Sequence, residues 1–394
     1  MEGKRFIHKL KSQNFLSFGG DGEEIELQPL NVIIGANGTG KSNLIEAIGV
    51  LKATPTNLLT PIRQGGGINE FLWKGDNDIP TAQIEAIVEY SDEPVRYRIG
   101  FTLVGQKLEI VDEVIEYQNI HPWQENPDFF YRFQNGTSLI NFLEPLGAER
   151  LKNPIVTENL IRNQSILSQI KFFDLYPEIT YLGIQFSGIG LYQDWHIRRN
   201  SRARMPQQTD LPEQPLLEDG SKLGVFWNNL QHQLGTRKII EKLNKFYESA
   251  EELTTKIYGG TVQIFIRETG LIQPIPATRL SDGTLHYLFL MALLLDPTPP
   301  PLLCIEEPEI GFHPDIMPTI AEMLIEASQR TQLIVTTHSD ALVSALNPES
   351  VLVCERDDRG SHLRRLEPEK LKNWLEKYSL GDLWRMGEIG GNRW

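Results

Sequence analysis

The sequence predicts an α/β chain with a mixed central sheet, an antiparallel β layer near its N-terminus and a helical insertion. Three observations predict it. An apolar run, Val32-Ile33-Ile34, passes through a glycine-rich turn into the helix-patterned Leu44-Ile45-Glu46-Ala47-Ile48. Two later apolar runs, residues 301–305 and 333–335, end on polar side chains. Unbroken apolar strands of this kind are buried on both faces, as in parallel sheets. Residues 81–118 instead alternate apolar with polar, the pattern of half-buried antiparallel strands.

Taken in order, residues 6–18 begin as an alternating strand, Gly19-Gly20-Asp21-Gly22 makes a turn, and residues 24–27 form a second strand. This hairpin leads into Gly35-Ala36-Asn37-Gly38-Thr39-Gly40-Lys41-Ser42, which fits the phosphate-loop pattern G-x-x-x-x-G-K-[ST] between a strand and a helix. Glycines let the backbone wrap a phosphate without Cβ clashes. The free N–H groups and the dipole of the following helix favour negative charge there. The residues of this nucleotide-binding stretch are Asn37, Gly38, Thr39, Gly40, Lys41, Ser42 and Asn43. Lys41 is placed to reach the β/γ-phosphates and Ser42 to hold Mg²⁺ through its hydroxyl.

Residues 54–75 are rich in Gly, Pro and Asn and read as a loop. Strands follow at 82–90, 95–103 and 107–117, separated by turns at 91–94 and 105–106, which makes an antiparallel meander. Helical spacing recurs at 159–173, and residues 185–197 return as a strand. The densest basic run is 196–204, containing Arg198, Arg199, Arg202 and Arg204, and residues 206–220 are polar and proline-rich. Residues 222–234 and 236–258 carry apolar residues at helical spacing. No heptad pattern is sustained, so long coiled-coil arms are excluded.

In the last third, residues 261–268 alternate as a strand. Arg279-Leu280-Ser281-Asp282-Gly283-Thr284-Leu285 then opens a strongly apolar helix, residues 287–295. The strand Leu302-Leu303-Cys304-Ile305 delivers Glu306 and Glu307 at its end, the Walker B arrangement. In it Glu306 binds Mg²⁺ through water and Glu307 orients and deprotonates the attacking water. Gly311-Phe312-His313-Pro314-Asp315 follows, and the run Leu333-Ile334-Val335-Thr336-Thr337 ends at His338. A further strand at 350–354 precedes the tail 380–391.

This ordered set resembles the ABC-type P-loop ATPases, and within them the SMC/RecF/OLD-like branch, as an armless bacterial predicted ATPase of the AAA/ABC kind. Asn14-Phe15-Leu16-Ser17-Phe18 is similar to that branch's N-terminal signature, with Leu16 where an arginine commonly stands. Leu280 to Thr284 is similar to the L-S-G-G-Q signature, with Asp282 and Thr284 replacing the middle Gly and the Gln. His338 looks like the switch histidine that meets the γ-phosphate, and residues 311–315 occupy the D-loop position. The resemblance implies a P-loop NTPase fold of ABC-ATPase type. It implies that two heads pair head to tail around ATP and Mg²⁺, with Ser281, Asp282 and Gly283 of one copy facing Lys41 and Ser42 of the other. The catalytic set is then Glu307, His338 and Lys41, and the metal set Ser42 and Glu306. For the glutamine loop of this class Gln64 and Gln83 are candidates, neither tied to the site by spacing.

The expected division is 1–118 (N-terminal lobe), 119–260 (helical or irregular insertion) and 261–394 (C-terminal lobe). The formal net charge of −14 supplies no global attraction to nucleic acid. There is no signal-peptide pattern at the charged start and no apolar run of about 18 residues. Cys304 and Cys354 sit inside apolar runs and read as core thiols. A cytoplasmic ATPase is expected, a homodimer or higher homo-oligomer without membrane association. Family analogy makes it a switch or scaffold in phage defence or genome maintenance, controlling a separate nuclease or toxin effector. A repair ATPase acting directly on DNA is the alternative, resting on the arginine run. A transporter subunit fits the N-terminal motif and divergent signature poorly. A non-hydrolysing nucleotide-binding module follows if Glu306 and Leu16 disable turnover.

Overall fold

The computed structural model describes residues 3–76, 78–91, 93–120, 127–141, 155–156, 160–195, 197–212 and 214–391. In chain order its strands are β1 (Ile7–Gln13), β2 (Glu23–Glu26), β3 (Leu30–Ile34), β4 (Ala82–Val88), β5 (Val95–Val104), β6 (Lys107–Tyr117), β7 (Phe129–Gln134), β8 (Thr137–Ile140) and β9 (Ile155–Val156). They continue as β10 (Gly190–Tyr192), β11 (Gln207–Gln208), β12 (Ala250–Tyr258), β13 (Thr261–Glu268), β14 (Ile275–Pro276), β15 (Leu302–Glu306), β16 (Gln332–Thr336), β17 (Val351–Asp357) and β18 (Gly360–Arg365).

The central sheet runs β10-β15-β16-β3-β17-β18, with only β18 antiparallel to its neighbour. Its strands alternate between two apolar layers. Val32, Ile34, Leu303, Ile305, Leu333 and Val335 face the helices Asp282–Leu295 and Met317–Ser328. Ile33, Leu302, Cys304, Ile334, Leu352 and Cys354 face the helix Lys41–Ala53 and the antiparallel sheet. This burial on both faces is why the parallel strands are apolar throughout. Both cysteines are buried and free, as their runs predict. The helix Asp282–Leu295 is buried from Thr284 to Leu295, consistent with apolar residues all round it.

The antiparallel sheet has the order β2-β1-β4-β5-β6-β7-β8-β9. It contains the expected meander and extends beyond residue 118, into the stretch expected to be helical or irregular. Gln332, buried at the start of β16, stitches the sheets together: its Oε1 accepts from the Ile7 amide at 2.8 Å and its Nε2 donates to the Ile7 carbonyl at 2.8 Å.

Several sequence expectations are corrected. The helix expected over 236–258 stops at Leu243, and Ala250–Tyr258 is β12, paired antiparallel with β13. Thr254, Thr255, Ile257 and Tyr258 are β-formers whose side chains suit a pleated surface. Within 159–173 the helix is only Ile166–Gln169, and residue 159 lies outside the described residues. Of 185–197 only Gly190–Tyr192 is strand, because helix Pro177–Ser187 occupies the start. The 54–75 loop contains short helices, Leu59–Gln64 and Ile68–Phe71. Among the described residues no helix is long and apolar enough to cross a membrane.

Candidate functional site

Three neighbouring parallel strands end side by side and deliver the chemistry. β15, β16 and β3 are consecutive in the sheet, in registers Glu306↔Thr336 and Thr336↔Ile33. Adjacent strands lie about 4.8 Å apart, so segments roughly 270 and 300 residues apart in sequence meet at one edge. Gly35 follows β3, Glu307 follows β15, and His338 lies two residues beyond β16.

Gly40 lies at φ 103° and caps the helix Lys41–Ala53. Its open Cα is required, since a Cβ there would lie 2.3 Å from both the Ser17 and Ser361 hydroxyls. Around Gly38, at φ 78°, a Cβ would meet nothing within 4 Å, and Asn37 and Gly38 are exposed. Lys41 is nearly buried, and its Nζ donates to the carbonyls of Gly35 and Ala36, both at 2.9 Å. Burial pulls the Lys41 ammonium below its ordinary pKa, opposed by nearby Cys354, Glu307 and Glu306. The Thr39 hydroxyl donates to the Ala36 carbonyl at 2.9 Å. Asn43 turns its amide onto Ser17 at 2.6 Å.

The outward carbonyls of this loop are held from β17 and β18. Thr39 O accepts from the Ser361 hydroxyl at 2.5 Å and the Cys354 thiol at 3.3 Å, and Gly38 O from Arg356 at 3.3 Å. Holding carbonyls on one side leaves amides for the other, the arrangement an anion cradle needs.

Glu306 faces Ser42 and Gln193. Burial raises its carboxyl pKa, and the Ser42 and Gln193 side chains oppose that rise. Its Oε1 is buried without a hydrogen-bond partner. An orphaned carboxylate oxygen beside a serine hydroxyl suits a hard cation. Among the described residues no group of three or more His, Cys, Asp or Glu could hold a metal. Such a sparse protein set matches Mg²⁺, which takes one or two protein ligands plus substrate phosphates. Gln193 was not found from sequence. It follows a three-residue edge strand, and only the pairing of β10 with β15 brings it to Glu306.

Glu307 sits at φ 44°, a left-handed conformation uncommon for a non-glycine residue, with its amide bound to the Thr336 carbonyl at 2.9 Å. Its Oε1 lies 3.6 Å from His338 Nε2. Glu309, also missed, accepts the His338 amide at 2.6 Å and the Thr337 hydroxyl at 2.7 Å, fixing the histidine turn. Burial raises the Glu309 pKa against those two bonds.

The signature residues lie on a separate element. Ser281 caps helix Asp282–Leu295, its Oγ accepting from the Thr284 amide at 3.0 Å. Asp282 pairs with the buried Arg204, and a Cβ on Gly283 would stand in ordinary contact, 3.5 Å, with the Gly311 carbonyl. His286, buried in the same helix, stacks on Phe312 and bonds the Ile310 carbonyl at 3.0 Å. Burial holds its pKa down at about 4, so the ring is neutral. Phe15 and Phe18 are core residues, and Ser17 between them is the member that touches the phosphate loop through Asn43 and Ser361. A cavity of about 880 Å³ opens along helix Lys41–Ala53, lined by Leu16, Asn43, Glu46, Gln64 and Gln193 among others.

No curated protein matches the sequence. Solved structures do match. The crystal structure of an Smc head bound to the C-winged-helix domain of ScpA aligns at TM-score 0.58 and 16% identity, over 94% of this chain and 100% of that one. The SMC head domain from Thermotoga maritima aligns at 0.47 and 16%, over 92% and 100%. An Smc head with an extended coiled coil, bound to the C-terminal domain of ScpA derived from Pyrococcus furiosus, aligns at 0.49 and 15%, over 94% and 99%. The first establishes the fold, that of an SMC-type ABC-ATPase head. A family model described as "AAA domain, putative AbiEii toxin, Type IV TA system" matches residues 30–344, from the phosphate-loop strand past the histidine turn. That match spans most of the chain and every motif that builds the site, and the chain belongs to this AAA-domain family.

Proposed function

We propose that the protein binds and hydrolyses Mg-ATP and uses the nucleotide state as a switch. The observation that carries this reading is the meeting of Lys41, Ser42, Glu306, Glu307 and His338 at the ends of β3, β15 and β16. Phosphoryl transfer needs positioning and charge stabilisation more than covalent chemistry from the protein. Lys41 and the amides of Asn37 to Gly40 bind the phosphates. Ser42 and Glu306 hold Mg²⁺, with Gln193 beside them. The ion, when bound, neutralises charge on the phosphate oxygens. Glu307 orients and deprotonates the attacking water, and His338, 3.6 Å away, faces the γ-phosphate.

Ser281, Asp282 and Gly283 act in trans. The helix start they form supplies donors to the γ-phosphate of a second copy, so ATP favours a closed homodimer and hydrolysis releases it. The description of its family, a putative toxin of a type IV toxin–antitoxin system, is in keeping with a defence role; control of a separate nuclease or toxin effector rests on family analogy. Direct action on DNA has less support. Of its four arginines, Arg204 is buried, while Arg198, Arg199 and Arg202 are exposed, Arg202 pairing with Asp219 at 2.8 Å.

Phosphate release with Mg-ATP tests the reading. Wild-type protein turns over, and Glu307→Gln retains ATP binding but turns over about 10²–10⁴-fold more slowly. Unchanged turnover in that variant removes Glu307 from the role of base.

A further inference from the structure

The stretch beyond helix Leu380–Met386 has no role in the chemistry described so far, yet at Gly391 it meets the phosphate loop. Gly387, at φ 81°, closes the helix. The chain then doubles back with Ile389 buried and its carbonyl held by Arg364 at 3.0 Å. Gly391 is fastened at both backbone groups. Its amide donates to Glu355 Oε1 at 3.1 Å, and its carbonyl accepts from Trp384 Nε1 at 2.8 Å. Gly391 lies at φ 63°, and a Cβ there would stand 3.3 Å from Gly35 Cα and 3.0 Å from Val353 Cγ1. Two glycine backbones therefore meet with no side chain between them.

Gly35 is no neutral neighbour. It is the first residue of the phosphate loop, and its carbonyl is one of the two that hold Lys41 Nζ. On its other side a Cβ would strike the Cys354 carbonyl at 2.3 Å. Gly35 is thus gripped between β17 and the tail, and Lys41 is referenced to it.

We infer that residues 387–391 form a strap that positions the phosphate loop, with Trp384 and Gly391 as positioning residues for nucleotide binding. Simple packing of a terminal helix accounts for the buried Trp384 ring. It does not account for a glycine pinned at both ends against Gly35. The physical gain is pre-organisation: a loop already held in its binding shape loses less freedom when phosphate arrives. The strap lies outside residues 30–344, so the matched stretch does not contain it.

This inference rests on the nucleotide reading, and the experiment separates the two. Binding of a fluorescent Mg-ATP analogue is titrated for wild type, Trp384→Phe and Gly391→Ala. Trp384→Phe keeps an aromatic ring but removes the donor together with part of the buried indole, so its unfolding stability is measured alongside; Gly391→Ala inserts a methyl group at the contact. Both are expected to raise Kd about tenfold, the share of affinity that a pre-organised loop supplies. The turnover rate at saturating ATP should stay within a fewfold of wild type, splitting KM from kcat. In Trp384→Phe, amide hydrogen exchange at residues 36–41 without nucleotide should quicken. That readout stands if Gly391→Ala does not fold. Wild-type Kd and unchanged exchange in folded Trp384→Phe would overturn the strap alone. A folded wild-type protein that binds no analogue overturns the nucleotide reading, and the strap with it.

Discussion

Glu307 and Glu113 are two carboxylates that the fold uses in opposite ways. Glu307 is partly exposed at a strand end, in a left-handed conformation that costs of order 1 kcal/mol and aims it at His338. Glu113, on β6, is fully buried. It accepts from the Tyr97 hydroxyl at 2.8 Å, the Ser165 hydroxyl at 2.5 Å and the Ile166 amide at 3.0 Å. Burial outweighs those donors and raises its pKa from 4.5 to about 7. The folded state therefore keeps this proton up to about pH 7, while the unfolded chain releases it near 4.5. The stability that Glu113 contributes is whole below about pH 4.5, falls as pH rises to about 7 and is flat above. Urea unfolding at several pH values checks this. Glu113→Gln should lose that part of the pH slope between pH 5 and 7, and an identical slope in both proteins would rule the assignment out.

At the scale of elements, Arg204 decides how the signature helix begins. Its guanidinium donates to the carbonyls of Ala277 at 3.1 Å, Leu280 at 2.5 Å and Arg198 at 3.0 Å, and it pairs with Asp282. From sequence it read as one of four arginines in an exposed basic run. It is a buried fastener of the loop that presents Ser281. Arg204→Met leaves carbonyls and one carboxylate without partners and should cost about 2–4 kcal/mol of stability. Arg198→Glu and Arg199→Glu, both on exposed positions, should stay within about 0.5 kcal/mol. Chemical denaturation of the three variants measures the contrast. Equal effects would return Arg204 to the surface patch. For the DNA alternative, salt-dependent binding must be tested on the exposed Arg198, Arg199 and Arg202, since charge reversal at the buried Arg204 should destabilise the fold instead.

On the scale of the whole molecule, the proposed composite site calls for a second copy. Ser281 caps its own helix, and a Cβ on Gly283 would stand 3.5 Å from the Gly311 carbonyl on the loop after β15. Helix start and D-loop thus form one packed unit, tied by His286 to Ile310 and Phe312. Trp195 links that unit to the site, donating to the Glu306 carbonyl at 2.7 Å and packing on His286. In the head-to-tail dimer proposed above this unit would face the partner's phosphates. Ser281→Arg should abolish ATP-dependent dimerisation of the Glu307→Gln protein while leaving nucleotide affinity of the single copy within a fewfold. Sedimentation with and without Mg-ATP is the measurement. A dimer that persists in Ser281→Arg, or one that ignores ATP, excludes the sandwich.

The residues of the proposed site were legible in the sequence wherever they stand at a fixed spacing. Gly35 to Ser42 needed glycines and a lysine within one turn, and the apolar strands ending at Glu306 and Thr336 advertised their burial. Those runs determined the phosphate loop, the acidic pair, the histidine and the parallel core. The tertiary structure alone decided what comes to meet them. Gln193 and Ser361 carry no local pattern, and the runs that hold Glu309 and Gly391 name no contact for them, because a partner found through strand order or a returning tail leaves no periodic trace along the chain. Arg204 changed role for the same reason: charge can be counted from the sequence, but whether it is solvated or fastened to carbonyls depends on which segments fold over it.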